Sequence, residues 1–188
     1  MKKTLGEIST IQTGIFAKTA SEGEIVYLQA KDFDELGQLN SVLHPNLKGD
    51  NLTQKHLLGH GDILFAAKGS KNFATWYESK NPPAVASTSF FVIRIQEQFK
   101  GEIMPEFLVW FINHPKSQQF LKGQAIGTAI VSISKAVLEE LEILIPDLQT
   151  QSAILKITQL RNNEKSLKQQ IEILREKQIQ QQIINAIK

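Results

Sequence analysis

Between Asp147 and Lys188 there is neither glycine nor proline, and this stretch constrains the fold more than any other part of the chain. Its composition turns to Gln, Lys, Glu, Ile and Leu, and Asp147 is placed to cap the start of a helix. Ile157, Leu160, Leu167, Ile171 and Leu174 recur at steps of three, four and seven, the spacing of a heptad seam. Ile179, Ile183 and Ile187 continue the series after a shift of one residue, and Glu164 takes one seam position inside the polar run Arg161-Asn162-Asn163-Glu164. A helix of roughly 40 residues is about 60 Å long at 1.5 Å per residue. It cannot bury such a stripe on the preceding residues alone, so the pattern predicts a partner helix. The expected division is a globular domain over 1–146 and a long dimerisation and spacer helix over 147–188.

Charge follows the same boundary. Residues 1–148 carry 14 Lys and Arg against 16 Asp and Glu, whereas residues 149–188 carry 7 against 3. A generic phosphate binder is basic throughout. A nucleic-acid role for the first part therefore requires its cations on one face, or a partner that supplies much of the grip. The chain has no cysteine, which removes disulfides, thiol nucleophiles and thiolate metal sites and fits a reducing cytoplasm. Met1-Lys2-Lys3-Thr4-Leu5 is not followed by the apolar run of a secretory signal, and no window reaches the roughly 18 apolar residues of a membrane-spanning helix. A soluble, cytoplasmic protein is expected.

Residues 1–146 read as a mixed, strand-rich α+β domain without internal repeats. Apolar runs of strand length lie at 24–30, 62–67 and 89–95, each close to Gly, Pro, Asn or Asp. Trp76, Phe90 and Phe91 fall in or beside such runs and read as core. Pro105 opens a helix carrying Phe107, Leu108, Trp110 and Phe111, and Pro115 opens a second through Phe120 and Leu121. Ser134 is an N-cap candidate for 135–140, and a short strand over 141–145 ends at Pro146.

Signatures of catalysis are missing. Gly69-Ser70-Lys71 lacks the upstream glycine of a phosphate-binding loop, since position 64 is Leu. Asn81-Pro82-Pro83 begins the motif with which adenine methyltransferases hold a flipped base, but the aromatic residue expected next is Ala84. A proline turn between strands is the better reading. His56 and His60 have a ligand-like spacing but straddle Gly59, and no carboxylate cluster completes a metal site. No Gly-x-Ser-x-Gly elbow occurs. The expectation is a protein that is not an enzyme and holds no cofactor or metal.

Several segments, in order, resemble the specificity subunits of type I restriction-modification systems. Leu5-Gly6-Glu7-Ile8 followed by Gly14 is similar to the start of their target-recognition domains, and Tyr27-Leu28-Gln29-Ala30-Lys31-Asp32-Phe33 to the next strand and turn. Gly61-Asp62-Ile63-Leu64-Phe65-Ala66-Ala67-Lys68-Gly69-Ser70 resembles the family's most recognisable segment. Ala86 through Arg94, Pro105-Glu106-Phe107-Leu108, and Gly127-Thr128-Ala129-Ile130 through Pro146 fit the segments after it. The family's glutamate-glutamine pair after that proline reads Thr150-Gln151 here.

The resemblance implies a target-recognition domain that reads double-stranded DNA, followed by a coiled-coil helix. Complete members carry two such domains and two helices, so a chain with one of each resembles half a subunit. It implies that two copies pair their helices antiparallel through Ile157, Leu160, Leu167, Ile171, Leu174, Ile179, Ile183 and Ile187. The target is then an interrupted palindrome. Adenine methyltransferase subunits would supply the donor cofactor and the catalysis, and a restriction subunit can join. On that reading the first candidates for base contact are Lys68, Gly69, Ser70, Lys71 and Asn72, with Thr75 and Trp76 behind them. Lys31 and Asp32 rank second, and Gly127 and Thr128 can lend an amide and a hydroxyl to a phosphate. The competing readings are a coiled-coil adaptor, a coiled-coil operator-binding regulator, for which no helix-turn-helix is found, and an inactive remnant.

Overall fold

The computed structural model describes residues 1–34, 37–39, 42–69, 72–78, 80–124 and 132–187. In chain order the elements are β1 (Lys2–Thr4), α1 (Leu5–Ile8), β2 (Ser9–Thr13), β3 (Val26–Leu28), α2 (Asn51–Lys55) and β4 (Ile63–Ala66). They continue with β5 (Ala74–Trp76), β6 (Ala84–Ala86), β7 (Phe90–Ile95), α3 (Pro105–Asn113), α4 (Pro115–Gly123), α5 (Lys135–Glu139), β8 (Glu142–Leu144) and α6 (Leu148–Ile187). The chain divides into two compact units, Met1–Leu148 and Gln149–Lys188. The architecture is α+β, strand-rich and followed by one long helix.

The first unit is built on an antiparallel sheet ordered β2-β7-β4-β5. β4 is Ile-Leu-Phe-Ala with every residue buried, a run that suits only a strand covered on both faces. Alternation then divides it. Ile63 and Phe65 join Ile93, Leu108, Ile112 and Leu138 in the larger core, while Leu64 and Ala66 join Phe90, Val92, Leu28 and Phe73 in a second. Two small sheets complete the unit: β3 pairs with β6 in parallel, and β1 pairs with β8 antiparallel.

The proline-led helices form at α3 and α4, where the missing N–H of a first-turn proline costs nothing. Ser134 accepts from Val137 N at 3.3 Å and caps α5. The run expected as a strand over 24–30 is shorter, because Gln29 turns the chain into a single 3-10 turn over Ala30–Asp32. Asn81-Pro82-Pro83 is a turn: the Tyr77 hydroxyl donates to Pro82 O, and Val26 N donates to Pro83 O at 2.8 Å.

An ion pair fixes the entrance to β4. Arg94 on β7 reaches both carboxylate oxygens of Asp62 through Nε at 3.0 Å, and donates to Leu57 O at 2.9 Å. Asp62, almost fully buried, also accepts from Gly59 N at 2.9 Å. Replacing Asp62 by alanine strands the guanidinium and frees the turn. We expect a loss of about 2 kcal/mol in denaturant-unfolding stability, below the range for a fully buried pair because Arg94 keeps partial access to water.

Candidate nucleic-acid interface

Strand order and register bring four separate pieces of chain to one end of the main sheet. β2 leaves the sheet there, with Gly14 N donating to Phe90 O at 3.0 Å and Ile15 N to Ala86 O at 2.9 Å. β3 and β6 end there together, since they run parallel and Ser87 N donates to Leu28 O at 2.9 Å. β4 leaves and β5 enters through the hairpin that begins at Lys68, while Ala67 N donates to Ser89 O at 2.9 Å. The pieces are thus the segment after Gly14, the Gln29–Asp32 turn, the β4–β5 hairpin and the Ser87–Ser89 turn. The chain that follows residue 131 arrives at the same place: Lys68 bridges to Ser132 and Ile133 N donates to Ala67 O at 3.0 Å.

An aromatic cluster beneath this end ties three of the pieces together. Phe33 follows the Gln29–Asp32 turn, Phe73 lies just past the hairpin, and Phe90 follows the Ser87–Ser89 turn. Their ring centroids lie 5.7 Å (Phe33–Phe73), 5.6 Å (Phe33–Phe90) and 6.2 Å (Phe73–Phe90) apart in tilted and edge-on geometries. Such contacts add to the burial of the rings and fix their mutual orientation. The loops above are therefore held in a common frame.

The residues singled out in the sequence divide by what they do here. Lys31 and Lys68 are exposed at this end, so two cations stand on a domain whose net charge is negative. Gly69 has φ +135°, and among the described residues nothing beyond its chain neighbours lies within 4 Å of the place a Cβ would take. The backbone conformation favours glycine there. Asp32 spends its carboxylate on its own turn, accepting from Gln29 N at 2.8 Å.

Asn72 is a correction to the expectation of an outward-facing amide. It is buried, and its Nδ2 donates to Ala66 O at 2.9 Å, closing the hairpin from within. Thr75 is also placed differently. It sits half-buried in β5 opposite Leu64 and lines a cavity of about 440 Å³ with Leu28, Phe33, Trp76 and Tyr77. Ser70, Lys71, Gly127 and Thr128 lie outside the described residues. His56 is the C-cap of α2, so it shares no helical face with His60, whose ring meets Trp76 edge-on at 5.7 Å. Among the described residues no three potential metal ligands cluster.

Two residues at this end escaped the sequence reading. Phe16 is 73% exposed, and the Ile15–Ser87 bridge sets it beside exposed Thr88. The Ser87 and Ser89 hydroxyls flank Thr88 and lie 2.7 Å apart. Ser-Thr-Ser before a Phe-Phe-Val-Ile run was the available signal, but read as strand it hid the turn. In chemical terms this end presents ammonium groups, hydroxyls, one solvent-facing ring and a glycine backbone. Those are groups suited to contacts with phosphates and base edges.

Comparison with known proteins adds a family and a fold. A family model described as the type I restriction modification DNA specificity domain matches residues 1–174. Among solved structures, the chain is similar to the type I restriction-modification system S subunit from M. genitalium, at 18% identity and a TM-score of 0.60, over 94% of this chain and 42% of that one. It is similar to the HsdS subunit from Thermoanaerobacter tengcongensis at 16% identity and a TM-score of 0.61, over 90% and 39%. A third structure, described by complex assembly and conformational transition of the type I R-M system, matches at 16% identity and a TM-score of 0.60, over 90% and 40%. At these identities the likeness is one of fold. The chain spans about two fifths of the length of the solved chains it matches. Comparison with curated proteins found no match.

Proposed function

This chain belongs to the type I restriction-modification DNA specificity domain family, and we propose that it selects the DNA sequence on which a type I complex acts while other subunits perform the chemistry. The observation that carries this reading is the gathering of four loops at one end of a sheet over the Phe33, Phe73 and Phe90 rings. A rigid sheet with sequence-distant loops at one end is a frame on which base-reading side chains can differ without disturbing the fold. Lys68 and Lys31 make the polar contacts there, with Ser70, Lys71, Gly127 and Thr128 kept as further candidates from the sequence and Thr88 and Phe16 added from the structure.

Adenine methyltransferase subunits dock on the chain, bring their own methyl donor, and supply much of the phosphate grip that a weakly acidic recognition domain lacks. A restriction subunit can join that assembly. The chain itself needs no cofactor. It works where chromosomal DNA is, in the cytoplasm; no helix among the described residues is long and apolar enough to cross a membrane. The long helix pairs with a second long helix and sets the distance between two half-sites. Two copies would make the target an interrupted palindrome, whereas two different helices would join unlike half-sites. The charges beside the seam bear on that choice.

The test is purification of the tagged chain from its native cells. An adenine methyltransferase subunit should be recovered in near-equal amount, and a chain recovered without one contradicts the assignment. Within that complex, Lys68→Ala should weaken binding to a duplex carrying the target about tenfold. It should also lower the slope of log affinity against log salt by about one, as expected for one lost phosphate contact. A discrimination between target and random duplex that falls as well would place Lys68 on a base edge. Unchanged binding would remove it from the interface.

A further inference from the structure

The long helix carries two apolar patches rather than one stripe. α6 runs without a break from Leu148 to Ile187. At 3.6 residues per turn, Ile157, Leu160, Leu167, Ile171 and Leu174 fall on one side, and Ile179, Ile183 and Ile187 fall about 140° away. The register that would prolong the first patch meets Gln178 and Gln181 instead. The first patch is a seam of about 26 Å. Its five apolar side chains are 48% to 64% exposed.

Charge along this seam is one-sided. With Ile157 as heptad position a, the e positions are Arg161, Lys168 and Arg175, and the g positions are Lys156, Asn163, Gln170 and Lys177. Neither flank carries an acid. The three glutamates of the helix lie elsewhere: Glu164 at an a position within the seam, and Glu172 and Glu176 on the outer face. Glu164 pairs with Lys168 at 2.6 Å and Glu172 reaches Arg175 at 4.0 Å, both within the one helix and exposed, so they reduce the flank charge only in part.

Self-pairing places cation against cation in either orientation. In an antiparallel pair the e row faces its own copy, so Arg161, Lys168 and Arg175 meet the same three residues. In a parallel pair g faces e, and Lys156 meets Arg161. Like charges at these positions select against a partner, as opposite charges select for one. We propose that the 157–174 seam takes a helix of different sequence, with Leu or Ile at a and d and Glu or Asp along its flanks, and that it disfavours a second copy of itself. This stands on the helix alone and does not depend on the DNA-reading assignment. Joined to that assignment, it predicts unlike half-sites rather than a palindrome.

The test uses the full chain and two synthetic three-heptad peptides with Leu at every a and d position, one with Glu at all e and g positions and one with Lys there. At low salt the chain alone should sediment as a monomer at micromolar concentration. It should bind the Glu-flanked peptide at least tenfold more tightly than the Lys-flanked one, and the gap should close in molar salt. The triple variant Arg161→Glu, Lys168→Glu, Arg175→Glu should reverse the preference, with the DNA-reading unit unaltered in its unfolding. Any one of three results overturns the proposal: a salt-insensitive dimer of the chain alone, equal binding of both peptides, or binding of neither.

Discussion

Replacing Phe90 by alanine should lower the stability of the first unit by about 4 kcal/mol. Phe90 has no exposed surface, and its ring is met edge-on by both Phe33 and Phe73. The substitution removes a large buried side chain in the middle of three anchored loops, and β7 and β4, already paired at this point, have little room to collapse into the space. Denaturant unfolding should show the midpoint falling with the slope unchanged. The loss should reach function too, because the Gln29–Asp32 turn, the hairpin and the Ser87–Ser89 turn share this floor. DNA selection should decline even though Phe90 touches no base. A loss below about 1 kcal/mol would mean that the three rings are not the common support described here.

Gly14→Ala should do comparable damage by a different route. A Cβ at this position would stand 2.2 Å from Ser87 O and 2.4 Å from Ala86 O. Both are backbone atoms of β6 and the turn after it, so no side-chain rotation relieves the contact. The chain after β2 must lift away, giving up the Gly14–Phe90 and Ile15–Ala86 hydrogen bonds and exposing buried Ile15. Overpacking of this kind costs about 1–3 kcal/mol before the lost hydrogen bonds are counted, and a total near 3 kcal/mol is expected from unfolding. Hydrogen exchange should place the damage at residues 14–16 and 86–90. Full protection there would show that the segment tolerates a methyl group after all.

What the sequence revealed depended on whether an element is specified locally. α6 was legible because forty residues without Gly or Pro and a seam at steps of three and four admit few other folds. β4 was legible because a strand buried on both faces must be a continuous apolar run, and β7 because Phe-Phe-Val-Ile carries such a run up to Arg94. β5 was not: three residues, Ala74–Trp76, carry no periodicity, and the inward amide of Asn72 that helps close their hairpin has no local signal. The β3–β6 pair was beyond local reading as well, since parallel strands 58 residues apart in register, Val26 with Ala84, leave no adjacent signal.

The candidate site was half legible for the same reason. Lys31 and Lys68 could be named as polar residues on loops, but only the strand order shows that their loops share one end of the sheet. Asn72 read as a solvent-facing donor because side-chain direction in a hairpin is set by which backbone group needs a partner, here Ala66 O. Phe16 went unnoticed because an aromatic residue near apolar neighbours reads as core, and nothing local shows that Ile15 takes the buried place and leaves Phe16 outside.

On the proposed function, the loops at this end of the sheet choose the DNA sequence. The direct measurement is the genome-wide adenine methylation pattern in cells that supply the methyltransferase subunits, compared between the native chain and a variant whose 68–72 hairpin is replaced by one of different sequence that keeps Gly69 and Asn72. The native chain should give one recurrent methylated motif and the variant an altered half-site, with the spacing between half-sites unchanged. An identical motif from both chains would contradict it and move recognition away from the hairpin.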